Sequence, residues 1–175
     1  MKSHVLLPQI LPQKETHMKK YLVTLLLLLN TAFNAPAWAA ESVWKVVAVY
    51  DGDTIVMAKV DTPAVKIRLA DIDAPEHDQP YGPESKTALK KLLDGCEVHF
   101  SPVDIDHYGR NVAVVTACGK NVNTEMVKAG AAWVYTRYNT DDTLPPLESA
   151  AKVDKKGLWA APAPINPETW RHQKK

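Results

Sequence analysis

The sequence predicts a mainly β-sheet domain that also carries helices, and an OB-type barrel of five strands with three helices is the closest match. Three observations lead to this prediction: five short β-prone runs, turn signals between them, and apolar stripes of helical period that end at glycines. Short strands of this number suit a small closed barrel with its helices on one side. An open α+β sheet is the alternative.

The predicted strands are short runs rich in β-branched and aromatic residues. They cover residues 43–50, 54–59, 65–69, 97–103 and 111–117. The dipeptide Asp51-Gly52 between the first two runs is a strong hairpin signal. The third run alternates apolar and basic residues, which predicts that one of its faces is buried. The polar turn 104–110 joins the last two runs into a second hairpin.

Each predicted helix combines an apolar stripe with a start or stop signal. The first begins at Pro83, where proline suits the first turn, and ends at Gly95. The other two cover residues 122–129 and 145–156, and a glycine follows each of them. Proline recurs beyond Ala160, which predicts an extended strap rather than a fourth helix.

Length and composition limit the class of protein. A chain of 175 residues with 46% hydrophobic and 23% charged residues fits one globular domain and disfavours disorder. Two cysteines are too few for a scaffold that depends on a dense disulfide framework. A net charge of +1 excludes a strongly basic coat protein of nucleic acid, although it leaves room for a local basic patch.

Residues 1–39 predict an N-terminal extension followed by a secretory signal peptide. Two lysines precede the apolar run 21–29, and Ala37-Trp38-Ala39 supplies the small residues of a cleavage site. Met18 opens a signal of the usual shape and is the expected start. A retained membrane anchor is the alternative, but the run is shorter than the roughly 20 apolar residues that a transmembrane helix needs.

Removal of this leader would leave a domain over residues 40–159 and a Pro-rich C-terminal tail over residues 160–175. We expect the product to be a monomer in the periplasm or the medium, with no membrane partner after cleavage.

Four short polar segments carry the candidate chemistry. They are residues 51–54, 68–76, 106–110 and 133–138. The first alone is more typical of a turn than of a site. The second crowds three carboxylates into six residues, which is as typical of a solvated acidic loop as of a site for a hard cation such as Ca²⁺. The third holds an arginine that either binds phosphate or is exposed for solubility, and the fourth interleaves aromatic residues with a cation, as core packing and base stacking both do.

Taken together and in order, these segments resemble the staphylococcal nuclease family. The residues that carry the resemblance are Asp-Gly-Asp-Thr at 51–54, Arg-Leu-Ala-Asp-Ile-Asp-Ala-Pro-Glu at 68–76, Tyr-Gly-Pro-Glu at 81–84, Asp-His-Tyr-Gly-Arg at 106–110 and Val-Asn at 122–123. The resemblance runs from Val46 to Trp159. It implies an OB-type barrel with three helices and a Ca²⁺-dependent hydrolysis of phosphodiester bonds in DNA and RNA, preferably single-stranded, that leaves 3′-phosphate ends.

The resemblance also implies roles for individual positions. Asp53 and Asp73 match calcium carboxylates, and Ala74, where the family often has Thr, matches a position that contributes its main-chain carbonyl. Glu76 matches the proposed general base, and Arg68 and Arg110 match phosphate-binding arginines. The implied contacts to nucleotides fall on Tyr108, Tyr135 and Tyr138. Because strict alternation puts Arg68 and Asp73 on opposite faces, we expect a bend between them.

Two other functional classes are compatible with the sequence. One is a non-catalytic OB-fold module that binds single-stranded nucleic acid, since OB barrels commonly do so. The other is an exported interaction protein that uses the Pro-rich tail as a ligand. The presence of all the ionic residues named above favours the enzyme.

The two cysteines fall on the second predicted hairpin. The turn at 104–110 places Cys96 and Cys118 opposite each other, and export would bring them into an oxidising compartment. We therefore expect a disulfide. A pair of buried free thiols is the alternative.

Overall fold

The computed structural model of the chain describes residues 43–174. The predicted extension and signal peptide, residues 1–39 with the start at Met18, lie outside the described residues. Within residues 43–174, no helix combines the length and the apolar character that crossing a membrane requires.

Strands β1, β2, β3, β6, β5 form the main sheet in that order, and β7 pairs with β6. The strands are β1 (Lys45–Val49), β2 (Thr54–Lys59), β3 (Thr62–Leu69), β4 (Ile72–Asp73), β5 (Val98–Ile105), β6 (Asn111–Ala117), β7 (Lys120–Asn121) and β8 (Trp133–Val134). Neighbours in the main sheet are antiparallel except for β3 and β6, which run parallel. Strands β4 and β8 form a separate antiparallel pair.

The predicted closed barrel is wrong for the part of the chain that the structure describes, because β1 and β5 are the two edges of an open sheet. These edges approach each other through side chains, with the Trp44 and Phe100 rings 5.4 Å apart. Pro102 lies on β5 and has no N–H to donate, and the register of β5 against β6 shifts next to it. Within the described residues, β1 and β5 have no main-chain pairing with each other.

Four α-helices are described where the sequence predicts three. They are α1 (Gly82–Leu93), α2 (Val122–Lys128), α3 (Leu144–Val153) and α4 (Pro167–Gln173). A 3₁₀ turn, Gly157–Ala160, links α3 to the tail. The fourth helix lies in the tail that proline content predicts to be extended. It begins with an Asn166 side chain that accepts the Glu168 N–H, followed by Pro167 in the first turn, and both are ordinary start signals.

The core lies between the sheet and the first three helices. Buried apolar residues from β2, β3 and β6 meet those from α1 and α2, and the largest of them include Ile55, Ile67, Val115, Leu89 and Met126. Burial of such side chains is the main favourable term in folding. The structure joins Cys96, just before β5, to Cys118, just after β6, in a disulfide with Cα atoms 5.1 Å apart.

Candidate active site

The first polar segment lies in the turn between β1 and β2, where it is held against α1. The Asp51 carboxylate accepts the Asp53 N–H at 3.0 Å, which fixes the turn. Gly52 is required by close packing: a Cβ there would lie 1.8 Å from Ser85 Oγ and 2.7 Å from Ala74 Cβ. The glycine therefore lets Asp53 approach the segment that holds Ala74. Sequence alone suggests the turn but not this approach.

The second segment bends immediately after β3. Ala70 and Asp71 form a turn with Asp71 at φ +65°, and the next two residues, Ile72–Asp73, form β4. Asp tolerates this left-handed conformation better than most residues. The turn reverses the alternation of side chains, so that Arg68 and Asp73 face the same space.

The carboxylates of Asp53 and Asp73 converge on the guanidinium of Arg68. Arg68 Nη1 lies 2.8 Å from Asp53 Oδ2, and Arg68 Nη2 donates to Asp73 Oδ1 at 2.8 Å. The Asp73 side chain is only 1% exposed and that of Asp53 6%. The Ala74 N–H also donates to Asp53 Oδ2, at 2.6 Å. Two buried carboxyl groups thus share one guanidinium, an arrangement that offsets part of their desolvation.

Burial has a direct effect on the protonation of Asp53. Desolvation raises the pKa of its carboxyl to about 8 against the opposing effect of Arg68, and the charges of Asp51 and Asp73 raise it further. A cation that binds Asp53 near neutral pH would therefore displace a proton.

Asn123, a buried side chain at the start of α2, supports the bend. Its Oδ1 accepts the Val115 N–H at 3.0 Å, and its Nδ2 donates to the Ala70 carbonyl at 2.9 Å and to the Ala113 carbonyl at 3.2 Å. The side chain thereby ties β6 to the turn that carries Asp71 and Asp73. The Val-Asn dipeptide is part of the family resemblance, but sequence reasoning assigned Asn123 no role.

Glu76 meets an arginine from the far end of the chain. Glu76 Oε1 accepts from Arg171 Nη1 at 2.8 Å, and Arg171 also donates to both oxygens of Asp73, at 3.1 and 2.9 Å. Partial burial acts to lower the pKa of Arg171, but its hydrogen bonds to Asp73 and Glu76 outweigh burial and raise it. Arg171 was missed by sequence reasoning, and the Asn-Pro-Glu helix start at 166–168 is the one local signal that the tail is ordered.

Arg110 closes the turn between β5 and β6. Its Nε donates to Asp106 Oδ2 at 2.6 Å, and Asp106 Oδ1 accepts the N–H groups of Tyr108 and Arg110. The guanidinium lies 5.5 Å from the centre of the Tyr108 ring. The Asp106 carboxylate fixes the direction of the Arg110 guanidinium. Among the described residues, Arg110 makes no hydrogen bond to Arg68, Asp53 or Asp73.

The three tyrosines implicated in nucleotide contact lie at the rim. Tyr108 and Tyr138 are 75% and 59% exposed, whereas Tyr135 is partly buried. The Tyr135 and Tyr138 rings form an edge-on pair with centres 4.9 Å apart. Partial burial and the nearby Asp73 charge raise the pKa of Tyr135. Exposed rings of this kind can stack on bases.

One cleft of about 920 Å³ brings these groups together. The predicted site residues that line it are Asp53, Arg68, Asp73, Ala74, Glu76, Tyr108, Arg110, Tyr135 and Tyr138. Glu168, Arg171 and His172 of α4 line it as well, and the sequence did not indicate them. Cys96 lines a different groove, between β1 and α1.

The oxygen donors of the cleft suit a hard divalent cation that keeps much of its water. Asp53 and Asp73 are close enough to share the single Arg68 guanidinium, so they are also close enough to share a cation. Within residues 43–174, no cluster of three or more His, Cys, Asp or Glu side chains forms a ligand set. Ca²⁺ tolerates such a site because it also accepts main-chain carbonyls and waters.

The fold and the cleft define a mixed α/β protein, in which buried carboxylates face arginines beneath a rim of tyrosines. The family model for staphylococcal nuclease homologues matches residues 66–161. The chain belongs to that family, and the resemblance seen in the motifs is confirmed.

Relatives along most of the chain carry nuclease names. An "Uncharacterized endonuclease" of Escherichia coli O157:H7 is 44% identical over 158 residues, which span 90% of this chain and 100% of the relative. An "Uncharacterized endonuclease" of Haemophilus influenzae is 38% identical over 157 residues, 90% of this chain and 88% of the relative. A "Micrococcal nuclease" of Shigella flexneri is 36% identical over 153 residues, which span 81% of this chain and 87% of the relative. These relatives indicate an endonuclease, and hence a nucleic-acid substrate.

Proposed function

We propose that the protein is a Ca²⁺-dependent endonuclease that hydrolyses phosphodiester bonds of DNA and RNA, preferably single-stranded, and leaves 3′-phosphate ends. The observation that carries the proposal is the convergence of the buried Asp53 and Asp73 carboxylates on Arg68 inside the cleft. The nuclease names of the relatives support the same reaction class.

Asp53 and Asp73 would hold the cation, together with main-chain oxygen at Ala74. A bound Ca²⁺ supplies positive charge against a phosphate oxygen and orients water. With Asp53 and Asp73 engaged by a cation, Arg68, which pairs with both in this structure, would direct its two terminal N–H groups at the substrate phosphate. Arg110, aimed by Asp106, would donate from the opposite hairpin. Two guanidiniums stabilise the charge that accumulates on the phosphoryl oxygens in the transition state.

Glu76 is the group best placed to accept a proton from the attacking water. Its carboxylate is about one third exposed at the cleft, within reach of solvent. Water adds to phosphorus as the bond from phosphorus to the 5′ oxygen breaks. The 3′ side keeps the phosphate, and the leaving 5′ oxygen takes a proton from solvent water and ends as a hydroxyl. A positioned general base contributes roughly 10²- to 10⁴-fold to such a reaction.

The rim tyrosines supply the preference for single strands. Tyr108 and Tyr138 expose their rings beside Arg110 and Arg137, respectively, so that a base can stack while its phosphate meets a cation. Bases in a duplex are already stacked and less available to these rings.

The test is cleavage of single-stranded DNA and of RNA by the purified protein with Ca²⁺ and with excess chelator. We expect cleavage only with the metal. The products should have 5′-hydroxyl ends, which a polynucleotide kinase phosphorylates without prior removal of a phosphate. Asp73→Asn should abolish cleavage. Asp71→Asn is the matched control, because it removes a carboxylate bonded to Thr140 rather than to Arg68 and keeps a residue that tolerates positive φ.

Two results would contradict the proposal. Full cleavage in excess chelator would exclude the Ca²⁺ requirement. Binding of single-stranded DNA with no cleavage under any divalent cation would favour the non-catalytic binding module.

We further propose that the protein is exported to the periplasm or the medium, acts there as a monomer and keeps no membrane contact. The signal-like run at 18–39 supports export, and extracellular calcium concentrations suit a weakly held, hydrated ion.

A further inference from the structure

The C-terminal strap, residues 161–174, lies along the cleft and contributes Glu168, Arg171 and His172 to its lining. Arg171 of α4 makes a two-pronged contact with Asp73 and a third hydrogen bond with Glu76. The partners are the residues proposed to hold the cation and to accept the proton. The Asp73 side chain is 1% exposed and that of Arg171 36%, so the guanidinium forms the outer wall over a buried carboxylate.

The strap is held by contacts on both sides of Arg171. Before α4, the Ile165 carbonyl accepts from the buried Gln79 Nε2 at 2.6 Å. Within α4, Trp170 Nε1 donates to Asp78 at 3.3 Å, and Lys174 pairs with the same carboxylate. Gln79 and Asp78 belong to the short connection that follows Glu76. The strap is therefore docked specifically on the acidic segment of the site.

The docked strap and a bound divalent cation compete for the oxygens of Asp73. Asp53, Asp73 and Glu76 provide up to three negative charges, and Arg68 and Arg171 provide two positive charges. A divalent cation between the two aspartates would add two more positive charges against Arg171, in a region where water does not screen them well. Arg171 also donates to Glu76 Oε1, and Glu76 needs this oxygen free to act as the general base.

We propose that the strap is an autoinhibitory element: Arg171 holds both oxygens of Asp73, one of the two proposed cation ligands, and must leave before a divalent cation binds. This inference rests on the proposed function. The strap lowers the apparent affinity for the cation by the fraction of molecules in which it is undocked, as for any ligand that binds a minor state. The enzyme is then inactive at low calcium concentration, and the strap leaves the cleft as the calcium concentration rises.

The test is a calorimetric titration of the purified protein with Ca²⁺, combined with hydrogen exchange of residues 167–174. We expect Arg171→Gln to bind Ca²⁺ about tenfold more tightly than the unaltered protein. In the unaltered protein, α4 should lose protection as Ca²⁺ binds, whereas in Arg171→Gln it should lack protection from the start. A chain that ends at Ala161 should repeat the gain in affinity.

Lys128→Gln is the charge-matched control, because Lys128 pairs with Glu125 on α2 and does not line the cleft. It should leave Ca²⁺ affinity unchanged. Equal Ca²⁺ affinity in the unaltered protein and Arg171→Gln, with α4 still protected at saturating Ca²⁺, would overturn the proposal of autoinhibition. The nuclease proposal would remain. Absence of Ca²⁺ binding in every variant would overturn both proposals.

Discussion

At the scale of single residues, the shape of the cleft depends on a buried side chain that does not line it. Asn123 satisfies one main-chain N–H and two carbonyls around the turn that carries Asp71 and Asp73. An apolar replacement would leave these buried groups without partners, which costs more than the hydrogen bonds contribute.

Asn123→Leu should therefore lower the free energy of unfolding by about 2–4 kcal/mol, measured by urea denaturation. Asn121→Ala is the control, since Asn121 caps the same helix by accepting the Thr124 N–H at its exposed end. Loss of a cap costs about 1 kcal/mol. Equal losses in the two variants would show that Asn123 acts only as part of its helix.

Arg110 is expected to act on turnover rather than on binding. Its guanidinium is oriented by Asp106 before substrate arrives, so its charge meets the phosphate mainly as negative charge develops there. Arg110→Ala should lower kcat on the order of 10²-fold with a much smaller change in KM, measured on a short single-stranded substrate.

Arg110→Lys keeps the charge without the fork and should recover only part of the lost turnover. Loss of binding with unchanged kcat in Arg110→Ala would instead make Arg110 part of a simple binding surface.

How far the sequence predicts the site depends on the distance along the chain over which each contact forms. The groups in 51–54, 68–76 and 106–110 are recognisable because each motif is local and their order is distinctive. The bend near Ala70 is expected only because the resemblance assigns Arg68 and Asp73 to one site while strict alternation would separate them. Arg171 is different: its bonds to Asp73 and Glu76 join residues 98 and 95 positions apart, and no local pattern encodes such a contact. Asn123 reads as an ordinary residue of a helix start.

At the scale of elements, the differences between prediction and structure have identifiable physical causes. The strap is helical from Pro167 because Asn166 caps it, although the prolines before it suggest an extended tail. In the described residues the sheet is open with β1 and β5 as its edges, and the Trp44 ring, just before β1, packs on the Phe100 ring of β5. Strand-forming runs are visible in sequence, whereas the closing of a sheet depends on the edges that meet.

The turn between β5 and β6 should make stability depend on pH through Asp106. Burial acts to raise the pKa of this carboxyl, but hydrogen bonds from Arg110 and Tyr108 and the Arg110 charge outweigh it, and the pKa is lowered from 3.8. A lowered folded-state pKa contributes stability that is present above the unfolded value and lost as the pH falls through the folded value.

Asp106→Asn should thus lower the free energy of unfolding by about 1 kcal/mol at pH 7, and the difference from the unaltered protein should shrink as the pH falls below 3.8. Urea titrations across this range measure it. Asp104→Asn, on the exposed end of β5, should cost less at pH 7 because its carboxylate contacts only the adjacent Ile105 N–H. A difference that persists unchanged in acid would contradict the role of the Asp106 charge.

At the scale of the whole molecule, the disulfide and the predicted leader lead to one joint prediction about export. Cys96 and Cys118 close a loop with a sequence separation of 22, between the end of α1 and the end of β6. A loop of this length stabilises the folded state by roughly 3 kcal/mol in the chain-entropy model. The bond forms and persists only where the compartment is oxidising, so its state reports where the chain has been.

The chain expressed with residues 1–39 should therefore be recovered from the exported fraction with Ala40 as its first residue and with no reactive thiol after unfolding without reductant. The same chain expressed without residues 1–39 should stay in the cytoplasm, give two reactive thiols and unfold about 10 °C lower.

The double variant Cys96→Ala and Cys118→Ala, with its leader, separates the two effects: it should be exported, unfold at the lower temperature and still cleave nucleic acid, since neither cysteine lines the cleft. Two reactive thiols in the exported, unaltered chain would contradict the disulfide, and an intact residue 1–39 segment on the purified protein would contradict the leader.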